Sequence, residues 1–190
     1  LFAGTVLAEN LLRDDFLDDN YGGFVDWMTV GKTVSSRLAE TGPDGGAAIR
    51  LSGRGFFSHV QLQLVADEDF ALSAWVRAKG LKDARMEFID SREALGKVVL
   101  PIPDDTKGEW KRIVWRGKSP KAYLDFYFVR FQLGSDDEGV LDVSSPMLEP
   151  LSEKAKSASH SRSTNAPFVA RITPIDPEVS ALDPQDATML

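Results

Sequence analysis

The sequence predicts an all-β protein, an antiparallel β-sandwich of the jelly-roll kind. Apolar residues recur with a period of two in short runs, no segment carries a helical period, and clusters of Gly, Pro, Asp, Ser and Lys separate the runs. About eight such runs fit between residues 10 and 150, which is the strand number of a jelly roll.

The runs are "GAAIRLSG" (46–53), "FSHVQLQLV" (57–65), "FALSAWVRA" (70–78), "ARMEFID" (84–90), "GKVVLPI" (96–102), "EWKRIVWR" (109–116), "AYLDFYFVRFQL" (122–133) and "GVLDVSSPMLEP" (139–150). "TGPDGG", "PDDTKG" and "RGKSPK" supply turns between them. Successive strand side chains point to opposite faces, so the spacing assigns an inner and an outer set. In 70–78, Phe70, Leu72, Ala74, Val76 and Ala78 form the inner set, and Trp75 falls on the more polar face. A tryptophan is seldom left fully exposed, so Trp75 is expected to be a framework residue under a neighbouring loop or the N-terminal strand. In 57–65, Val60, Leu62 and Leu64 point inward, which leaves His59, Gln61 and Gln63 outside. In 84–90, Ala84, Met86 and Phe88 point inward and Arg85, Glu87 and Ile89 outward. Both faces of 122–133 are apolar, so spacing alone does not orient that strand.

The flanks differ. "LFAGTVLAEN" has the apolar run and the small-residue spacing of Val6 and Ala8 that end a signal peptide, so residues 1–8 are expected to be its remnant and the protein secreted or periplasmic. Residues 152–166, "SEKAKSASHSRSTNA", are Ser-rich and poor in large apolar side chains, the composition of a linker. Residues 167–190 are Pro-rich and read as a tail or the start of a further domain. The sandwich itself is assigned to 9–151.

Composition narrows the function. The net charge of −7 and the lack of basic runs argue against nucleic-acid and anionic-membrane partners. Without cysteine there are no disulfides and no thiolate metal sites. There is no phosphate-binding glycine loop, no zinc-binding histidine pair and no nucleophile elbow. The acidic clusters "RDDFLDD" (13–19) and "GSDDEG" (134–139) read as solvated turns or as calcium ligands.

Several phrases, in order, resemble the secreted jelly-roll carbohydrate-binding modules that accompany cellulases and xylanases, a galactose-binding-domain-like family. They are "ENLLRDDF", Trp27 in "GFVDWMTVG", "VQLQLVADEDFALSAWVRAKG", "GEWKRIVW" and "FVRFQLGSDDEGVLDVSSPMLEP", and together they cover about 10–151. The resemblance implies a non-catalytic module that binds a polysaccharide or oligosaccharide on one sheet face, beside an attached catalytic domain. It places Gln132 in that cleft, and alternation then adds Phe126, Phe128 and Arg130, with Tyr127, Val129 and Phe131 in the core. The expected site is His59, Gln61, Gln63, Arg85, Glu87, Phe128, Arg130 and Gln132. These side chains can pair with sugar hydroxyls, and an aromatic face can stack on a pyranose ring.

The family's structural calcium is less well supported. Leu17 follows Phe16 where an acid is expected, and Ser144 and Ser145 stand where the last strand should carry one, which leaves Asp15, Asp18 and Asp142 as substitutes. Two rival functions remain. One is a protein-contact sandwich whose cleft is filled. The other is a jelly-roll polysaccharide lyase using His59, Tyr127 and Arg130.

Overall fold

The computed structural model describes residues 10–12, 16, 19–20, 23–24, 26–93, 95–122, 125–134 and 138–157. In chain order the strands are β1 (Asp19–Asn20), β2 (Gly23–Phe24), β3 (Trp27–Gly31), β4 (Val34–Thr41), β5 (Ala47–Ser52), β6 (Gly55–His59), β7 (Leu62–Gln63), β8 (Asp69–Lys79), β9 (Arg85–Asp90), β10 (Lys97–Pro101), β11 (Lys111–Lys118), β12 (Phe126–Gln132) and β13 (Val140–Pro150). They build two antiparallel sheets. The first runs β1-β2-β3-β6-β12-β9-β10, with β7 also on β12, and the second runs β11-β8-β13-β5-β4. The fold is an all-β jelly-roll sandwich.

The core lies between the sheets and follows the period of two. In β8, Phe70, Leu72, Ala74, Val76 and Ala78 are buried, as their spacing requires. The first sheet answers with Phe57, Met86, Phe88, Tyr127, Val129 and Phe131, all completely buried. Trp27 stacks on Phe57 with centroids 4.9 Å apart and an interplanar angle of 8°. Each such side chain contributes about 1.5–3 kcal/mol on burial.

Pro146 would break a central strand, because it has no N–H to donate. β13 accommodates it with a shift of register between Ser144 and Met147. The N-terminal segment then ties the strand down. Asn10 donates from Nδ2 to the Pro146 carbonyl, and its Oδ1 accepts from the Leu12 and Leu148 amides at 3.1 and 3.0 Å.

Three local features depart from the sequence reading. β3 and β4 were not among the runs expected from periodicity. β4, "VSSRLAET", is an edge strand in which no residue is buried and Val34 and Leu38 are its only large apolar side chains, so its pairing with β5 leaves too little apolar alternation to detect. The expected strand 57–65 is two strands, because the Val60 amide leaves the ladder and donates to the Asp26 carbonyl at 2.7 Å. Lastly, residues 153–157 form one helical turn. The Ser152 hydroxyl caps it by accepting from the Ala155 amide at 3.1 Å, and Ala155 is buried.

Replacing Phe57 with Ala should cost about 3–5 kcal/mol in urea denaturation, the usual penalty for emptying a buried aromatic site. Val34→Ala, at a side chain 63% exposed, should change stability by no more than about 0.5 kcal/mol.

Candidate functional site

β12 lies between β6 and β9, and register fixes which side chains meet. Ser58, Arg130 and Glu87 stand in one row, and Phe56, Gln132 and Arg85 in the next. Phe128 neighbours Ile89. β3 adds Met28 beside Ser58 and Val30 beside Phe56. Because Tyr127, Val129 and Phe131 are fully buried, Phe126, Phe128, Arg130 and Gln132 must occupy the outer face.

Glu87 is the electrostatic centre of that face. Its carboxylate is 1% exposed and accepts from Arg85 Nε through Oε1 and from Arg130 Nε through Oε2. Arg130 donates a further bond to Glu93 at 2.7 Å and lies 4.7 Å above the Phe56 ring. Burial by itself would raise the Glu87 carboxyl, but the bonds from the two arginines outweigh it and hold the group below the ordinary glutamate value. The Arg130 guanidinium is opposed by burial in the same way, and its bonds to Glu93 and Glu87 leave its pKa raised.

Polar groups remain for a ligand. Gln132 donates from Nε2 to the Gly55 and Leu133 carbonyls at 3.0 and 3.1 Å. Two carbonyls require the nitrogen there, so Oε1 is left as an acceptor with no donor among the described residues. The Nη2 groups of Arg85 and Arg130 likewise make no bond to a described residue. Two depressions adjoin these atoms. One, of about 200 Å³, is lined mainly by Met28, Val30, Phe56, Phe128 and Arg130. The other, of about 500 Å³, is lined by Arg54, Gly55, Asp83, Arg85, Gln132, Leu133 and Gly134. Gly55, in the lining of the larger depression, must be glycine, since its φ is +139° and a Cβ would sit 2.0 Å from the Val30 carbonyl oxygen.

The structure places the expected residues unequally. Arg85, Glu87, Phe128, Arg130 and Gln132 share the outer face. Gln63 is opposite Phe126, at the far end of β12. Gln61 is exposed but lies between β6 and β7, where strand alternation does not orient it. His59 is corrected: it is 3% exposed, on the inner side with Phe57, and its ring meets Trp27 edge-on at 5.1 Å. The break at Val60 slips the alternation by one residue, so Phe56 and Ser58 take the outer positions instead. Met28, Val30, Phe56, Ser58, Arg54, Asp83 and Glu93 also border the depressions and were not anticipated. The signal for Phe56 and Ser58 was "GFF", where only one of two adjacent phenylalanines can face the core.

Asp142 is also corrected as a calcium ligand. It is buried in the second sheet, and both its oxygens are taken by Arg50 and Arg77. Two guanidiniums do not fit a cation site. Asp15 and Asp18 lie outside the described residues. Trp75 is half-buried on the outer face of the second sheet. The Arg112 guanidinium of β11 lies 5.8 Å from its ring centroid, and Asp44 and Gly46 of the loop between β4 and β5 line the same depression as Trp75.

No family model and no curated protein matches the chain. Among solved structures it is similar to the CBM22-1–GH10 modules of Clostridium thermocellum xylanase 10B complexed with xylohexaose. That match has a TM-score of 0.53 and 17% identity, and covers 76% of this chain and 29% of that one. The CBM22-2 xylan-binding domain of Paenibacillus barcinonensis Xyn10C matches at TM-score 0.50 and 14% identity, over 73% of this chain and 98% of that domain. An arabinose-bound GH51 α-L-arabinofuranosidase matches at TM-score 0.55 and 14% identity, over 75% of this chain and 26% of that one. The chain thus spans less than a third of the two enzyme-containing chains. At these identities the shared property is the fold, and it is the jelly-roll fold that the sequence resemblance implied.

Because the folded Glu87 pKa lies below the ordinary value of 4.5, its contribution is present above pH 4.5 and is lost as pH falls through the folded value. Glu87→Gln should destabilise the protein by about 2–4 kcal/mol at pH 7, since it leaves two partly buried guanidiniums without their carboxylate. In urea titrations, the gap between wild type and variant should narrow below pH 4.5.

Proposed function

We propose that the chain is a non-catalytic carbohydrate-binding module that holds a glycan across β6, β12 and β9. It would belong to an exported polysaccharide-processing protein and raise the local concentration of substrate for an attached catalytic domain. One observation carries this reading. Gln132 Oε1 belongs to an amide fixed by two backbone carbonyls, Gln132 pairs across the sheet with Arg85 and shares its strand face with Arg130 and Phe128, and the Nη2 groups of both arginines bond to no described residue. A sugar presents hydroxyls that donate and accept, next to an apolar ring face, and matches that set.

The similar solved modules support the assignment. One is a xylan-binding domain and another includes a module crystallised with xylohexaose. The lyase reading has less support, because it needs His59, Tyr127 and Arg130 together. His59 and Tyr127 lie on the inner face, and the Tyr127 hydroxyl donates to the Pro120 carbonyl at 2.9 Å.

Isothermal titration with neutral xylo- and gluco-oligosaccharides tests the proposal. Gln132→Ala should weaken binding about tenfold, as expected for losing one preorganised hydrogen bond with its supporting geometry. Phe128→Ala should do at least as much through the lost stacking surface. Absence of binding across such a panel would overturn the proposal and leave a protein-contact sandwich as the better reading.

A further inference from the structure

The outer face of the second sheet carries a separate charged depression. At its floor Asp142 of β13 is 2% exposed and held from both sides. Arg50 donates from Nε to Oδ1 at 2.8 Å and from Nη2 to Oδ2 at 3.0 Å. Arg77 donates to Oδ2 from Nε and Nη2 at 2.9 and 2.8 Å. Arg77 also pairs with Glu40 at the rim and lies 4.8 Å from the centroid of the Trp110 ring. These contacts fix both guanidinium planes. Each arginine still has an Nη1 group that bonds to no described residue.

Two lysines complete the surface. Lys79 and Lys107 are exposed and form no ion pair with a described residue, and both line the same depression of about 390 Å³. Lys107 is held in place by its loop. The Thr106 amide donates to the Ala78 carbonyl at 2.9 Å, the Ala78 amide donates to Thr106 Oγ1 at 3.1 Å, and the Lys107 amide donates to Asp105 Oδ1 at 2.6 Å. Lys107 and Gly108 have φ of +54° and +80°, so a tight turn sets the lysine beside β8. Four cations therefore line this depression against Asp105 and Asp142 in its lining and Glu40 at its rim, and Asp142 and Glu40 are already paired with the arginines, which leaves Lys79 and Lys107 as the cations without a paired carboxylate among the described residues. This happens on a chain whose net charge is −7. Self-repulsion among the cations is tolerated most easily where an anion visits.

We propose that this depression binds the carboxylate or sulfate group of an acidic polysaccharide, on the face of the sandwich opposite the Gln132 groove. The Nη1 donors of Arg50 and Arg77 and the two ammonium groups would form charge-assisted hydrogen bonds to the oxyanion. Gly108 also lines the depression, and nothing lies within 4 Å of where its Cβ would be. The choice of a glycan as carrier rests on the proposed function, whereas the preference for an oxyanion rests on this depression alone.

NMR titration of the full chain separates the two. Oligogalacturonate and a sulfated oligosaccharide serve as probes, with a neutral xylo-oligosaccharide and inorganic sulfate alongside. At least one acidic oligosaccharide should shift the amides of Lys79, Lys107, Gly108 and Val140, and raising the salt should weaken it. The double variant Lys79→Gln/Lys107→Gln should weaken that binding about tenfold or more while leaving the melting temperature and neutral-oligosaccharide binding unchanged. Gln132→Ala should leave the acidic shifts in place. The proposal is overturned if no acidic probe shifts these amides, or if the double variant binds as well as wild type. Equal shifts from the neutral probe at this patch, or inorganic sulfate binding as tightly as the oligosaccharides, would overturn it too.

Discussion

The whole outer surface of the first sheet depends on the inward set of β12. Tyr127, Val129 and Phe131 are completely buried, and a slip of one residue would exchange them for Phe128, Arg130 and Gln132. That exchange would place a guanidinium and an amide in an apolar core, at a cost of several kcal/mol each. The register is therefore strongly enforced by burial, and the polar chemistry of the outer face is a consequence of the core. The neighbours inherit the same constraint, since Ser58 and Glu87 are paired to Arg130, and Phe56 and Arg85 to Gln132.

Within that frame, Glu87 converts flexible side chains into fixed ones. An arginine loses considerable rotamer freedom when it orders. Here Arg85 and Arg130 are ordered in advance by a shared carboxylate, and Arg130 again by Glu93 and the Phe56 ring. The glycan proposed for this face would meet donors whose ordering cost was met on folding, which is how preorganisation raises affinity. Gln132 is restrained by the same logic through two carbonyls. The second sheet repeats the device with Asp142 between Arg50 and Arg77.

Much of this was legible in the sequence because a strand declares its faces wherever one face is apolar. The inner set of β8 and the outer positions of Arg85 and Glu87 follow directly from the spacing. His59 was misplaced because a break in a strand has no compositional mark there. "SHVQLQL" reads as one run, and only the tertiary bond from Val60 to Asp26 interrupts it. β4 was invisible for the opposite reason, since an edge strand exposed on both faces needs no alternation. Asp142 looked like a metal ligand because a single acid on a late strand is ambiguous until its neighbours across the sheet, Arg50 and Arg77, are known.

The two sheets thus present two chemistries: a groove with a neutral acceptor, guanidinium donors and an aromatic ring, and a depression dominated by cations. The first is suited to a neutral glycan chain and the second to a charged substituent. The central claim concerns the first, and a crystal structure of the protein with a bound neutral oligosaccharide tests it most directly. The account predicts sugar density over Phe128, with a hydroxyl within hydrogen-bonding distance of Gln132 Oε1. Sugar bound only at another surface, with the β6–β12–β9 face bare, would contradict it.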